Sequence, residues 1–374
     1  MSQLPAAPGL GVSKELTIRS VEAVLVVVPM RRTLGTSAMG IGEAPLVLID
    51  LHTEQGVTGH AYLFCYLESA GHAAVALARD VSAVLAGTVA APAPVRRALQ
   101  SRFKLLGSRG LVSAVLAGVD VACWDALAIA AGLPLARMLG GTMRPTAAYN
   151  SNGLGLLEPQ AAADEAQELV AEGFRGIKMR IGRPSGNDDL AAVRAVRAAI
   201  PADVILMSDY NQALSPTAAR QRCLQLDGEG LYWIEEPVRH DDYATSAELA
   251  TLLRTPVQIG ENFTGPRAMS LALQHRASDL VMTDLERIGG ISGWLAAAAL
   301  ADAAGTEMSS HLYPEASAHL LAATPTAHWI EYVDWADPIL QQPLPVADGW
   351  VMPPDRPGTG LAWNADGVSH YRRG

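Results

Sequence analysis

Between residues 173 and 313 the chain reads GFRGIKMRIG (173–182), VILMSDYN (204–211), LYWIEEP (231–237), VQIGEN (257–262), LVMTDLERIGG (280–290) and TEMSSHLY (306–313). In each fragment a short run of mostly apolar or small residues closes on a charged or titratable side chain: Lys178, Asp209, Glu235, Glu261, Asp284 or His311. From Asp209 onward the steps are 26, 26, 23 and 27 residues. A strand, a helix and two short loops occupy about that length in a βα unit. The spacing therefore predicts α/β architecture closed into a (β/α)8-type barrel. The six side chains would stand at C-terminal strand ends, around the mouth where such barrels build active sites. Three successive carboxylates there, Asp209, Glu235 and Glu261, raise one another's pKa unless something positive joins them. A hard divalent cation with oxygen ligands meets that need, Mg²⁺ above all and Mn²⁺ as a substitute.

The neighbours of these carboxylates extend the reading. Glu236 follows Glu235 directly, so strand alternation turns it the other way, as a supporting partner rather than a ligand. Lys178 and Arg180 form a K-x-R pair whose side chains share one face of a strand. Beside a divalent cation a lysine can serve as a base or as an anchor for a carboxylate. Arginine stays charged and offers a rigid fork instead. The plainer alternative for both is a surface cation paired with helix acids. Asp284 and His311 lie one βα unit apart. On adjacent strands the carboxylate would fix the imidazole tautomer and tune its basicity toward neutral pH, which makes the pair a general base. Glu331, closing AHWIE, is expected as a protonated acid opposite the metal.

Length and composition bound the rest. At 374 residues the chain has room for a barrel of about 250 residues and a second domain. Nearly half of it, 49%, is hydrophobic, which excludes disorder for the bulk. A formal charge of −10 argues against nucleic acid and anionic membrane as partners. A small anionic substrate stays possible because a bound cation inverts the local field. Cys65, Cys123 and Cys223 have no metal-ligand spacing and read as reduced thiols. Without a targeting pattern or a long unbroken apolar run, a cytoplasmic protein is expected.

Along the chain, residues 1–14 read as a flexible terminus, and 15–140 as an α+β domain that caps the barrel. Within it TLGTSAMGIG (33–42) is small and Gly-punctuated, which suits a mobile flap and equally an ordinary hairpin loop. Residues 141–340 alternate strands and helices as a barrel does. Residues 341–374, Pro- and Gly-rich, are expected to return to the capping domain.

The motifs YNS (149–151), IKMRIG, SDYNQ, WIEEP, GEN, TDLERIGGISGW, SSHLY and AHLLAATPTAHWIE together resemble the mandelate racemase subgroup of the enolase superfamily. GVDVACWDALA and RPGTG fit as well, so the resemblance spans the chain. It implies a modified TIM barrel, (β/α)7β, under an α+β capping domain. It also implies one Mg²⁺ per subunit binding a substrate carboxylate, and a base that removes the α-proton to give an enediolate. By residue, the resemblance makes Asp209, Glu235 and Glu261 the metal ligands and Asp284–His311 the base. Glu331 and Lys178 become partners of the carboxylate, and Ser151 and Asn211 substrate contacts. A homo-oligomer, an octamer by the family's habit, is implied too. Arg180 departs from the pattern, because the racemases carry a lysine there as second base. An apolar wall of Leu34, Ala38, Ile41, Tyr66, Leu312 and Val333 suits an aryl or alkyl substituent. Arg31 and Arg32 are the polar groups near it. The expected activity is racemisation or epimerisation of a 2-hydroxy acid. Dehydration of an acid sugar through His311–Asp284 is the alternative, and an inactive small-molecule binder is a lesser one.

Overall fold

A computed structural model describes residues 15–374; the terminus 1–14 lies outside the described residues. The first unit is an antiparallel meander of β1 (Ile18–Gly35), β2 (Gly40–Thr53) and β3 (Thr58–Phe64). Helices α1 (Glu68–Leu85), α2 (Pro92–Arg102), α3 (Leu111–Ala130) and the short α4 (Leu135–Met138) follow. Helix α3 is long and apolar enough to cross a membrane by length and hydropathy alone. It lies between β3 on one side and two barrel helices on the other, so its apolar character serves a double-sided interface. Gly59 permits the closeness: a Cβ there would sit 1.9 Å from the Ala122 carbonyl oxygen.

The barrel strands are β4 (Thr146–Asn150), β5 (Gly176–Arg180), β6 (Ile205–Asp209), β7 (Leu231–Glu235) and β8 (Val257–Ile259). They continue as β9 (Leu280–Asp284), β10 (Met308–His311) and β11 (Trp329–Tyr332). Between them run α5 (Pro159–Ala171), α6 (Gly186–Ala199), α7 (Pro216–Leu226), α8 (Tyr243–Leu252) and α9 (Pro266–His275). The last three are α10 (Leu285–Ile288), α11 (Gly290–Ala304) and α12 (Pro314–Ala322). Neighbouring strands pair in parallel from β4 to β10, and β11 closes on β4. Eight strands with seven helical crossovers make a (β/α)7β barrel. Between β10 and β11 serine hydroxyls replace part of the ladder: Ser309 Oγ accepts from Trp329 N (3.3 Å) and Ser310 Oγ from Glu331 N (3.1 Å). Tyr149, Met207, Trp233 and Trp329 fill the barrel interior as a separate buried cluster beneath the mouth.

The C-terminal segment divides its attachments. Strands β12 (Val346–Ala347) and β13 (Trp350–Val351) form a hairpin that pairs antiparallel with β4. The expectation that all of 341–374 returns to the capping domain is corrected here: the lower half of β4 has a free edge, and the hairpin covers it. From Asp355 onward the segment does reach the first domain, through Arg137, Leu133 and Leu135 and then Asp50. Asp125 of α3 accepts from Thr359 Oγ1 (2.8 Å), and α13 (Ala365–Tyr371) packs against β1. Cys65, Cys123 and Cys223 are buried free thiols.

Candidate active site

Register places the charged side chains on one rim. Arg180 pairs with Asp209, Asp209 with Glu235, and Asp284 with His311, each across adjacent parallel strands. Glu261 stands two residues beyond β8, after Gly260 at φ 131°. Any Cβ at Gly260 would lie 2.2 Å from the Met282 carbonyl oxygen, so only glycine lets the chain turn there. One oxygen each from Asp209, Glu235 and Glu261 falls within 4.8 Å of the others. Trp233 Nε1 (3.1 Å) and Gln258 Nε2 (3.3 Å) donate to Glu235 Oε2 from below. Asn211 Nδ2 (3.0 Å) and its backbone N–H (2.7 Å) hold Asp209.

The electrostatics of this trio fit a divalent cation. Burial and the neighbouring acids push Glu235 up to about 8 against the opposing pull of Lys178. Burial likewise raises Asp209, with Glu261 adding to the effect. Asp209 and Glu235 share the Lys178 ammonium with Glu331, Glu261 pairs with Arg287 and His311, and the buried Asn211 Oδ1 beside them has no hydrogen-bond partner. Oxygen-only donors, excess negative charge and an unsatisfied carbonyl form the setting a hard cation completes. Glu236 does not turn away as alternation suggested. Its φ of 36° ends the strand geometry, and Asn262 Nδ2 bridges it (2.8 Å) to Glu261 (3.0 Å). Burial, then Glu261 and Asp209, raises its pKa well above the usual range, which suits a neutral supporting acid.

Lys178 is buried and lies 2.9 Å from Glu331, 3.0 Å from Glu235 and 3.2 Å from Asp209. Burial opposes its charge, but Glu235 and Glu331 outweigh that and raise its pKa well above normal. Glu331 is the counterpart. Burial pushes it up, yet Lys178 and His311 hold it down at about 2, a balance that favours the carboxylate over the protonated acid expected from sequence. Ser151 Oγ (2.7 Å) and the Leu312 N–H (3.0 Å) complete its shell.

Across the mouth stands the dyad. Asp284 caps α10, with Oδ1 accepting the N–H groups of Glu286 and Arg287 at 2.9 Å each. That fixes the carboxylate and leaves Oδ2 to meet His311 Nδ1 at 2.7 Å. His311 Nε2 then faces Glu261 Oε2 at 3.2 Å. Burial lowers the imidazole's pKa, but Glu261, Glu331 and Asp284 raise it well above 6.5, not toward neutrality as the sequence reading had it. A cation among the carboxylates works in the opposite direction, because it cancels the charge responsible.

Arg180 is committed elsewhere. Nη1 donates to the carbonyls of Ser151 (2.8 Å) and Gly153 (2.9 Å), and Nη2 to Ser151 Oγ (2.9 Å). The guanidinium thus braces the 151–155 loop and orients the hydroxyl that serves Glu331. The same loop supports the flap: a Cβ at Gly155 would lie 2.8 Å from the Gly35 nitrogen.

A cavity of about 180 Å³ joins these groups. Lys178, Arg180, Asp209, Glu261, His311 and Glu331 line it with Asn211. The tip of the β1–β2 hairpin lines its open side, where Leu34 pairs with Ile41 and the exposed Ala38 stands at the edge. Tyr66 and Leu312 continue the apolar wall. Two expected contacts are corrected. Ser151 is buried behind Glu331, spent on Arg180 and Glu331, and Val333 packs into the core instead of the wall. Arg31 and Arg32 also point elsewhere, to Asp334, Glu172, Glu168 and Glu165. Six lining groups were missed, of which Thr36 and Met39 lie within the 33–42 stretch. Gln212 and Asn262 follow quoted motif residues, and Trp335 adds an aromatic face. Arg287 donates to Tyr66 Oη (2.9 Å) and to the Glu261 carbonyl (3.1 Å). Its sequence signals were its place three residues after Asp284 and its inclusion in the TDLERIGGISGW motif.

Comparison with known proteins gives a consistent picture. Residues 19–140 match the mandelate racemase / muconate lactonizing enzyme N-terminal domain, and residues 161–367 match the enolase C-terminal domain-like family. The L-talarate/galactarate dehydratase of Salmonella typhimurium is 34% identical over 68% of this chain and 65% of its own length. An enolase from the alpha proteobacterium bal199, with bound Mg, superposes with a TM-score of 0.93 at 46% identity, over 96% of this chain and all of that one. An enolase from Bradyrhizobium, complexed with magnesium and mandelic acid, gives 0.91 at 42% identity, over 96% and 99% of the two chains.

Proposed function

Because the chain belongs to the mandelate racemase / muconate lactonizing enzyme family of the enolase superfamily, we propose that it removes the proton α to the carboxylate of a 2-hydroxy acid. The observation that carries this reading is the meeting, in one cavity, of the carboxylate trio and the Asp284–His311 dyad. Asp209, Glu235 and Glu261 would hold Mg²⁺, which would supply Lewis-acid stabilisation of negative charge on the substrate carboxylate. Lys178 adds a fixed ammonium on the same side. Glu331, ionised and braced by Ser151, holds Lys178 in place. His311 Nε2 takes the α-proton while Asp284 keeps Nδ1 protonated and the ring oriented. The electron pair left on the α-carbon moves into the carboxylate as an enediolate.

The outcome follows from what returns the proton. Leu34, Ile41, Tyr66, Leu312 and Trp335 favour an aryl or alkyl substituent, and a relative of 42% identity binds mandelic acid. Both support racemisation or epimerisation of a mandelate-like acid. A second reading is favoured by the commitment of Arg180 to the 151–155 loop and of Lys178 to Glu331, Glu235 and Asp209, which leaves His311 without a free base across the cavity. For a 2,3-dihydroxy acid, protonated His311 can then deliver its proton to the β-hydroxyl. Water leaves, and the enol collapses to a 2-keto acid. The talarate/galactarate dehydratase likeness supports this course. The small carboxylate is the partner proposed in either case, acting on a cytoplasmic homo-oligomer. Incubating the protein with Mg²⁺ and a panel of 2-hydroxy and polyhydroxy acids in D₂O, followed by ¹H NMR, reads exchange, inversion and dehydration together. The absence of α-proton exchange with every acid would overturn the proposal.

A further inference from the structure

A second cavity, of about 170 Å³, lies where the capping helices meet the barrel. Its apolar walls include Leu99 of α2, Leu116 of α3 and Ile288 of α10. Arg96 of α2 lines it, partly exposed, and among the described residues no carboxylate lies within ion-pairing distance of its guanidinium. Asp120 also lines the cavity but is spent on Ser292, whose N–H (2.8 Å) and hydroxyl (2.6 Å) donate to its two oxygens. Arg287 stands in the wall of this cavity and of the catalytic one, and its terminal nitrogens are engaged on the catalytic side by Tyr66 and Glu261. Arg96 is the cavity cation without a direct ion-pair partner, and it acts on Asp120 only from a longer distance. Gln100, Ser108, Ser113 and Thr264 make the rest of the lining polar, so only the Leu99–Leu116–Ile288 side is apolar. In size alone, a cavity of about 150 Å³ takes up a benzene molecule. This one therefore has room for one aromatic ring, with a guanidinium fork of the geometry that binds carboxylates.

We propose that this interdomain cavity is a binding site for a small aromatic carboxylate, separate from the catalytic cavity. The ring lies between Leu99, Leu116 and Ile288, and the carboxylate meets Arg96. The site stands apart from the reaction assigned above, because none of the residues that hold the ligand takes part in proton transfer.

The test is a ¹⁹F NMR titration of the full chain, in Mg²⁺, with 4-fluorobenzoate. Arg96→Leu removes the fork at a partly exposed position, and Leu116→Trp fills the ring's space. Each variant should weaken binding about tenfold or more, as loss of a charge-assisted contact or of the ring's space does. Any α-proton exchange should stay at the native rate in both, which separates this site from the catalytic reading. Equal affinity in the native protein and both variants would place the acid elsewhere and overturn the proposal. No saturable binding to the native protein would overturn it as well. Crystals soaked in 4-bromobenzoate give the direct placement: an anomalous bromine peak beside Leu116 supports the site, and one found only beside Lys178 contradicts it.

Discussion

The β9–β10 side of the catalytic cavity and the β5 side each carry a basic side chain over buried acids, yet the two are wired differently. β5 and β10 are separated by β4 and β11 in one direction and by four strands in the other, so their side chains face each other across the mouth. On one side Asp284 uses a helix cap to anchor itself and spends its remaining oxygen on His311 Nδ1, which leaves Nε2 turned to the cavity. On the other side Arg180 gives three hydrogen bonds to the 151–153 segment. One side has a proton to exchange; the other has a permanent charge used as a brace. A K-x-R pair on one strand can therefore be half chemistry and half scaffold.

The sharpest way to break this comparison is to remove each side in turn. His311→Asn should cut α-proton exchange by about 10³-fold or more, in the range of a lost general base, with Mg²⁺ binding and circular dichroism unchanged. Arg180→Met should keep the dyad and lose exchange by a smaller factor, about tenfold, through slack in Ser151 and Glu331. Equal losses in the two variants would remove the distinction. Asp284→Asn should cost about 10²-fold or more, because the amide favours the wrong imidazole tautomer, and the pH–rate profile should move with it.

A quieter test uses stability. His311 has a pKa raised in the folded protein by Glu261, Glu331 and Asp284 against the effect of burial. A raised folded value stabilises fully below the unfolded pKa of about 6.5, and that contribution fades as pH climbs through the folded value. In excess chelator the difference in Tm between the native protein and His311→Asn should therefore be largest in mild acid and shrink on the alkaline side. A difference that grows with pH would reverse the sign. The smallest effect is expected at the hairpin tip. Ile41→Ser should raise KM about threefold to tenfold for an aryl 2-hydroxy acid with kcat nearly unchanged, since it removes uniform apolar binding.

Much of this site was legible because parallel strands impose a period. Asp209, Glu235, Glu261, Asp284 and His311 each end an apolar run, and strand pairing does bring them to one rim. Glu236 is a supporting group as expected, but not by the route given, because alternation holds only within a strand and its backbone leaves the strand at φ 36°. Ser151 lies on the rim by sequence, but its direction depends on a hydrogen bond to Arg180, 29 residues away. Arg287 sits in the one-turn helix α10, too short to show a period, and Trp335 in an irregular segment, so nothing in the pattern says which way either side chain points. The β12–β13 hairpin escaped for a simpler reason: two-residue strands carry no periodicity.

The most direct test of the asymmetry is to follow each enantiomer of mandelate separately in D₂O with Mg²⁺, measuring loss of the α-proton by NMR and inversion by polarimetry on the same samples. One-sided chemistry predicts that a single enantiomer exchanges quickly and that its exchange outpaces inversion. Both enantiomers exchanging at the same rate would contradict it, and would mean that a second base acts from the Arg180 side.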